Sequence, residues 1–290
     1  MLPQIIKLIR PWQWVKNGVV FAGIIFSGNA FIREFQIKAL LAAVAFCLLS
    51  SAVYALNDIV DRKIDRFHPM KKNRPLASGQ LSIATAVIVV ILFAAGALAI
   101  SYSVNLDLFL VSAGYLILSV LYSLAFKNIV IIDVMSIAVG FVLRAEAGVV
   151  AIDAPFSSWL LIATFTLALF LALGKRRHEL VSLEKGAVPH RKILEKYSSY
   201  LLDQLIGVVT ASAVITYFFY TVSPSVQSKL HTPYMVLTTP FVVYGIFRYL
   251  YLVHQESKGG FPTRILFTDA PLLLNVLLWL ASVIVLLYIV

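Results

Sequence analysis

A chain of 290 residues that is 60% hydrophobic and only 13% charged, with a mean hydropathy of +0.90, is too apolar for a water-soluble domain; soluble chains carry about a quarter charged residues. Its net charge of +10 does not point to nucleic acid, because the basic residues follow a membrane topology rather than a patch. The lone Cys47 excludes an intramolecular disulfide, and His and Cys are nowhere clustered with the spacing of a zinc site.

The expectation is an all-α, polytopic membrane protein. About nine transmembrane helices form one bundle, and no polar linker divides residues 1–290 into more than one domain. In chain order, the first sixteen residues are broken by Pro11 and carry Trp12 and Trp14, which suits an anchor lying at the bilayer interface. Apolar runs then predict spans at roughly 18–31, 39–56, 81–100, 107–125, 133–150, 157–174, 201–221, 234–252 and 270–290. Lys and Arg crowd the N-terminal arm and the second, fourth, sixth and eighth connections. Arg33, Lys38 and Lys229 fall on the other side, and Arg144 lies within a span. The positive-inside rule puts the N-terminus in the cytoplasm of a multi-pass inner (plasma) membrane protein, with the charged loops on the cytoplasmic face.

The second of these loops, Asn57–Gly79, reads NDIVDRKIDRFHPMKKNRPLASG. Asp58, Asp61 and Asp65 are spaced i, i+3, i+7, within about a 60° arc of one helix face. Three carboxylates on one face repel each other, and Mg²⁺ relieves that repulsion while retaining positions for phosphate oxygens. Arg62, Lys63, Arg66, Lys71, Lys72 and Arg74 interleave or follow, as suits phosphates beyond the reach of the metal. The pattern fits a Mg²⁺–diphosphate site at a membrane surface; a solvated mixed-charge loop is the plainer alternative.

After the fourth span come Tyr122, Ser123, Lys127, Asn128 and Asp133, on the same face as the Asp cluster. Asp133 either completes the metal shell or orients a ribose or phosphate, or it is only an acid at a helix N-terminus. Span five contains FVLRAEAG, and Arg144 within it needs a polar cavity or a partner, because a membrane charge costs at least ~2.5 kcal/mol. It either reaches an anionic substrate or pairs with a neighbouring helix; Glu146 has no evident role. Span six ends in GKRRHEL, where Lys175 or Arg176 would meet a phosphate, although Lys175 and Glu179 also suit a helix-end i, i+4 pair. His190, Arg191 and Tyr197 read as surface rather than site. Arg264 and Asp269, in GGFPTRILFTD, read as a Gly/Pro loop rather than a lid.

NDxxDxxxD after the second span, with Asn57, Asp58, Asp61, Asp65, Arg74, Pro75 and Gly79, resembles the first motif of the UbiA superfamily of intramembrane prenyltransferases. The chain departs from that family where Asp133 is followed four residues on by Ile137 rather than a second Asp, and where it reads HPMKKNRP although aromatic-substrate members usually place Arg-Thr before the RP. RPWQWVKN at Arg10–Asn17, SSAVYALND, DRFHPMKKNRPLASG, GFVLRAEAG and LALGKRRHEL resemble a branch of decaprenyl-phosphate phosphoribosyltransferases. The resemblance implies Mg²⁺ held by Asp58, Asp61 and Asp65, and transfer of 5-phosphoribose from phosphoribosyl pyrophosphate (PRPP) to a polyprenyl phosphate. Lys71, Lys72 and Arg74 would grip the PRPP phosphates, and Asn57, Tyr122, Lys127 and Asp133 are further substrate-binding candidates. Arg144, Lys175 or Lys16 would hold the lipid phosphate, and Asn17 and Arg176 are further substrate-binding candidates. An ordinary prenyl transfer to an aromatic acceptor and a non-catalytic lipid carrier are the alternatives. The implied partners are these substrates and the lipid bilayer, with no nucleic acid and with room for a homo-oligomer.

Overall fold

The computed structural model describes residues 1–67, 71–155, 158–184, 192–256, 259–260 and 262–289. Among them, every regular element is helical: α1 (Leu2–Ile9), α2 (Ala22–Ile25), α3 (Arg33–Asp65), α4 (Ile83–Val104), α5 (Leu106–Leu124), α6 (Ile132–Ala151), α7 (Ser158–Glu184), α8 (Ser199–Val222), α9 (Pro224–Leu230), α10 (Thr239–His254), α11 (Pro262–Thr268) and α12 (Ala270–Tyr288). Eight of the described helices are long and apolar enough to cross a membrane, counting α10 with the 3₁₀ turn that leads into it. Their outer faces carry exposed Ile88, Leu92, Ile117, Val208, Phe247 and Leu277, as expected where the surrounding solvent is hydrocarbon.

The first expected span, 18–31, is not such a helix. Pro11–Phe21 winds as a 3₁₀ helix and only Ala22–Ile25 is α-helical. A 3₁₀ helix repeats every three residues, so Trp14, Asn17, Val20 and Gly23 form one stripe, and it is the inward one: Asn17, Val20 and Gly23 are buried. The physical reason is close backbone packing on α6. A Cβ at Gly148 would stand 1.7 Å from the Val20 carbonyl oxygen, and one at Gly23 would stand 2.5 Å from the Gly148 carbonyl carbon. Only paired glycines permit this approach, and the narrower 3₁₀ winding fits it.

α3 is 33 residues long, about 50 Å at 1.5 Å per residue, against a hydrocarbon core of about 30 Å. It packs through small residues, with Ala39, Ala42, Ala45, Ala52 and Ala55 all fully buried, as close helix contacts in membranes require. Its excess length carries the Asp58–Asp65 turns to one end of the bundle. Two apolar cores flank α6: one joins it to α3, α4 and α5 around Phe46, Leu49 and Leu108, the other to α7, α8 and α10 around Phe170, Leu202 and Leu252. α6 therefore brings Asp133 and Arg144, eleven residues apart and so on one face, to the junction of the two halves.

Candidate active site at the end of the bundle

The chemistry-bearing side chains gather at the end of α3. A small apolar cluster there combines Leu8 of α1, Ala55 of α3, Leu76 of the RPLASG segment and Leu81 just beyond it, all buried. Gly79 turns that segment at φ 76°, where a side chain would be strained. The cluster fixes two arginines over the carboxylate face. Arg74 Nη1 donates to both Asp58 Oδ1 at 2.9 Å and Asp65 Oδ2 at 2.7 Å. Arg10 Nη2 donates to the same Asp58 oxygen at 2.5 Å, with its guanidinium over the Tyr54 ring at 5.1 Å. Lys127, from the α5–α6 connection, reaches Asp61 Oδ1 at 2.5 Å. Asp58 and Asp65 are buried, while the Asp61 side chain is 19% exposed.

Arg10 was not among the residues the sequence singled out. It ends α1 in the left-handed region, φ 52°, a conformation that costs a non-glycine residue about 1–2 kcal/mol. The signal for it was local: a residue before proline cannot continue a helix, so the Arg10–Pro11 step had to redirect the chain. Its partner, 48 residues away, left no local trace.

A second cluster is buried on α6. Arg144 is 7% exposed and donates to Asn17 Oδ1 (2.9 Å), the Gly140 carbonyl (3.0 Å) and the Tyr115 hydroxyl (2.6 Å). Its guanidinium lies over the Tyr115 and Phe141 rings at 4.8 and 4.9 Å. Every one of these partners is neutral, so among the described residues this charge has no acidic counterpart. Asn17 is held in turn by Ser50 Oγ at 3.2 Å. Half-buried Lys16 adjoins: burial, then the Arg144 and Arg10 charges, push its ammonium down to about 8. The repulsion that Lys16 feels from these two guanidinium groups is of the kind a nearby anion relieves.

Asp133 is fully buried and both of its oxygens are taken: Arg176 Nε donates to Oδ2 at 2.6 Å and the Tyr197 hydroxyl to Oδ1 at 2.8 Å. Burial and this carboxylate push the Tyr197 phenol up to about 12. Arg176 also donates to Glu179 at 2.5 Å. Asp133 thus locks α6 to α7 and the start of α8. Tyr197, expected at the surface, is 5% exposed, because it closes this ion pair.

The remaining expected residues sort by exposure. Asn57, Lys71 and Tyr122 are half-buried at the same end; Lys72 is exposed. Lys175 points outward beside Glu179, Nζ–Oε1 3.8 Å, with a side chain 46% exposed. Glu146 is half-buried with Oε2 unpartnered. Asp269 caps α12 through Leu272 N and pairs with Arg248 at 2.8 Å, and Arg264 is exposed on short α11; both belong to the scaffold. His68–Met70, His190 and Arg191 lie outside the described residues.

The donor set fits a hard divalent cation. Asp58, Asp61 and Asp65 share one helix face, and Asp58 Oδ2 is buried with no hydrogen-bond partner, an orphaned carboxylate oxygen of the kind a metal satisfies. With Arg10, Arg74 and Lys127 on the carboxylates, no group of three or more His, Cys, Asp or Glu among the described residues is gathered to hold an ion.

The UbiA prenyltransferase family model matches residues 18–267. Decaprenyl-phosphate phosphoribosyltransferase of Mycolicibacterium smegmatis is 32% identical over 96% of this chain and 91% of its own length. The protein of the same name from Corynebacterium glutamicum is 32% identical over 98% and 86%. In fold, the chain is similar to a UbiA homolog from Archaeoglobus fulgidus bound to GPP and Mg²⁺, with a TM-score of 0.73, 20% identity and coverage of 97% and 99%. It is also similar to a digeranylgeranylglyceryl phosphate synthase, TM-score 0.67, 18% identity, coverage 98% of each. The family match over most of the chain, the near-full-length relatives and the shared helical fold make this chain a member of the UbiA prenyltransferase family of membrane enzymes.

Proposed function

We propose that residues 1–290 act as one helical domain that transfers 5-phosphoribose from PRPP to a polyprenyl phosphate at the cytoplasmic face of the plasma membrane. The observation that carries this reading is the pairing of two anion sites. One is the carboxylate face with its arginines; the other is the Arg144–Lys16 cluster, which among the described residues has cations and no acid paired with them. Donor and acceptor in this reaction are both phosphates, and relatives named for it match nearly the whole chain.

Asp58, Asp61 and Asp65 would hold Mg²⁺, which when bound neutralises the charge of the pyrophosphate. Arg10, Arg74 and Lys127, with Lys71 at the edge, grip the outer phosphate oxygens. Arg144 and Lys16 hold the lipid phosphate, with Asn17 orienting the Arg144 fork. A phosphate oxygen of the lipid attacks ribose C1 as the bond from C1 to the pyrophosphate oxygen breaks, and pyrophosphate leaves with that electron pair. The nucleophile is already an anion near neutral pH, so no general base is needed. The lipid tail stays in the bilayer, which the apolar outer faces of the bundle adjoin.

The likeness to a structure bound to GPP and Mg²⁺ supports a second reading, prenyl transfer from a diphosphate donor. The deciding experiment presents purified protein in detergent with Mg²⁺, polyprenyl phosphate and PRPP labelled in its ribose. Label in the lipid phase, lost in Asp58→Asn, is the expected result. No label with PRPP, and turnover of a prenyl diphosphate instead, would overturn the reading.

A further inference from the structure

We propose that Arg10 and Arg74 are exchangeable ligands: in the resting protein they occupy the motif carboxylates, and they pass to the phosphates of an arriving diphosphate, so that metal ion and diphosphate bind as a mutually dependent pair. The inference rests on the metal–diphosphate reading of the site and adds Arg10 to it as a binding residue.

Three observations carry it. First, a single nitrogen, Arg74 Nη1, bridges Asp58 Oδ1 at 2.9 Å and Asp65 Oδ2 at 2.7 Å. It stands where a cation shared by those two carboxylates would stand, and both cannot be there at once. Arg10 Nη2 loads the same Asp58 oxygen at 2.5 Å. Second, Asp58 Oδ2 remains buried and unpartnered although its sister oxygen takes two guanidinium contacts. The resting arrangement therefore leaves the carboxylate's other donor position unused. Third, Arg10 is held in a left-handed conformation at the end of α1, and Leu8 of α1 shares one apolar cluster with Leu76, two residues beyond Arg74. Both guanidinium groups are thus delivered to the same carboxylate from segments that pack on one another.

The charges make the dependence reciprocal. A divalent ion entering alone drives two arginines, with side chains 18% and 25% exposed, off their carboxylates with no anion to receive them. A diphosphate entering alone meets three carboxylates and finds the arginines engaged. Entering together, the metal takes the carboxylates and the arginine forks take phosphate oxygens, their best bidentate partners. Whatever factor the diphosphate contributes to metal affinity, the metal must contribute to diphosphate affinity.

The test uses the full chain in lipid nanodiscs without acceptor lipid, Mn²⁺ followed by electron paramagnetic resonance, and inorganic pyrophosphate or PRPP as the anion. Binding is corrected for the metal–pyrophosphate complex that forms in buffer. Pyrophosphate is expected to tighten Mn²⁺ binding by about tenfold or more, within the usual range of coupling between sites. Arg74→Ala and Arg10→Ala are expected to tighten Mn²⁺ binding in the absence of anion and to shrink that factor. Arg74→Lys, which keeps the charge but loses the fork, keeps the test open if the alanine variant fails to fold. Equal Mn²⁺ affinity with and without pyrophosphate, or unchanged Mn²⁺ affinity in the arginine variants, would overturn the exchange. Coupling with pyrophosphate but not with PRPP would uphold the exchange and sink the choice of donor instead.

Discussion

Arg144→Met separates a functional cation from a structural one. In the folded chain Arg144 makes three hydrogen bonds, all to neutral oxygens. At about 1.5–3 kcal/mol each for bonds made by a charged group, they contribute roughly 4.5–9 kcal/mol. Against this stands the cost of placing arginine within a membrane span, about 2.5–3.5 kcal/mol. The bonds outweigh that cost, so methionine of similar length should lower the melting temperature, and the split between the two substrates' KM values carries the test. Acceptor binding should respond very differently. A charge-assisted contact to the lipid phosphate contributes about 2–3 kcal/mol, which at 1.4 kcal/mol per decade is about 30- to 150-fold in affinity. The assay is steady-state transfer from labelled PRPP at varied polyprenyl phosphate, alongside a thermal melt in the same detergent. The expected outcome is a KM for the lipid raised by that factor, with the KM for PRPP little changed. A variant whose lipid KM moves by less than about threefold while its melting temperature drops sharply would refute the anion-pocket assignment and leave Arg144 as a packing residue.

Three further outcomes are expected. Lys16, held down to about 8 by burial and by Arg144 and Arg10, binds an anion only as the ammonium; lipid-phosphate affinity should therefore fall as pH rises, about tenfold between pH 7 and 9, and Lys16→Arg should flatten the profile. A flat wild-type profile over that range would remove Lys16 from the site. Asp133→Asn removes one of the two carboxylates on buried Arg176, leaving Glu179, and should destabilise the protein by about 1.5–3 kcal/mol; a variant as stable as the parent but demanding more Mg²⁺ would instead point to a metal role for Asp133. Gly148→Ala puts a methyl 1.7 Å from the Val20 carbonyl oxygen and should push the 3₁₀ segment off α6, lowering both the yield of folded protein and its melting temperature. Normal stability would contradict the close packing.

Some of this protein was legible in its residues alone, because the relevant physics is local. Long apolar runs specify membrane helices wherever they occur, so eight of the nine expected spans are helices of the required length. The i, i+3, i+7 spacing fixes which way Asp58, Asp61 and Asp65 face once a helix forms, and Arg74 sits nine residues past Asp65, within reach through one turn. Membership of the family could be read because its motifs are contiguous strings. The first span was misread because hydropathy measures composition, whereas the backbone's winding there is set by paired glycines 125 residues apart in the chain, Gly23 and Gly148. The period-three stripe Trp14, Asn17, Val20, Gly23 is visible only to a reader already looking for a 3₁₀ helix.

Partnerships were decided by tertiary structure. Arg10 meets Asp58 across 48 residues, Arg144 meets Asn17 across 127, and Tyr197 meets Asp133 across 64. Sequence shows that a charge inside a membrane must find something to offset it, but not whether that will be a carboxylate, a ring of neutral dipoles, or a substrate. For Asp133 the fold supplied Arg176 and the Tyr197 hydroxyl, an ion pair that joins α6 to α7. For Arg144 it supplied neutral groups and, among the described residues, no acid, because α6 faces the 3₁₀ segment at that level and that segment offers Asn17. The same energetic demand, a buried charge in a low-dielectric bundle, was met by acids in one place and by neutral dipoles and rings in the other.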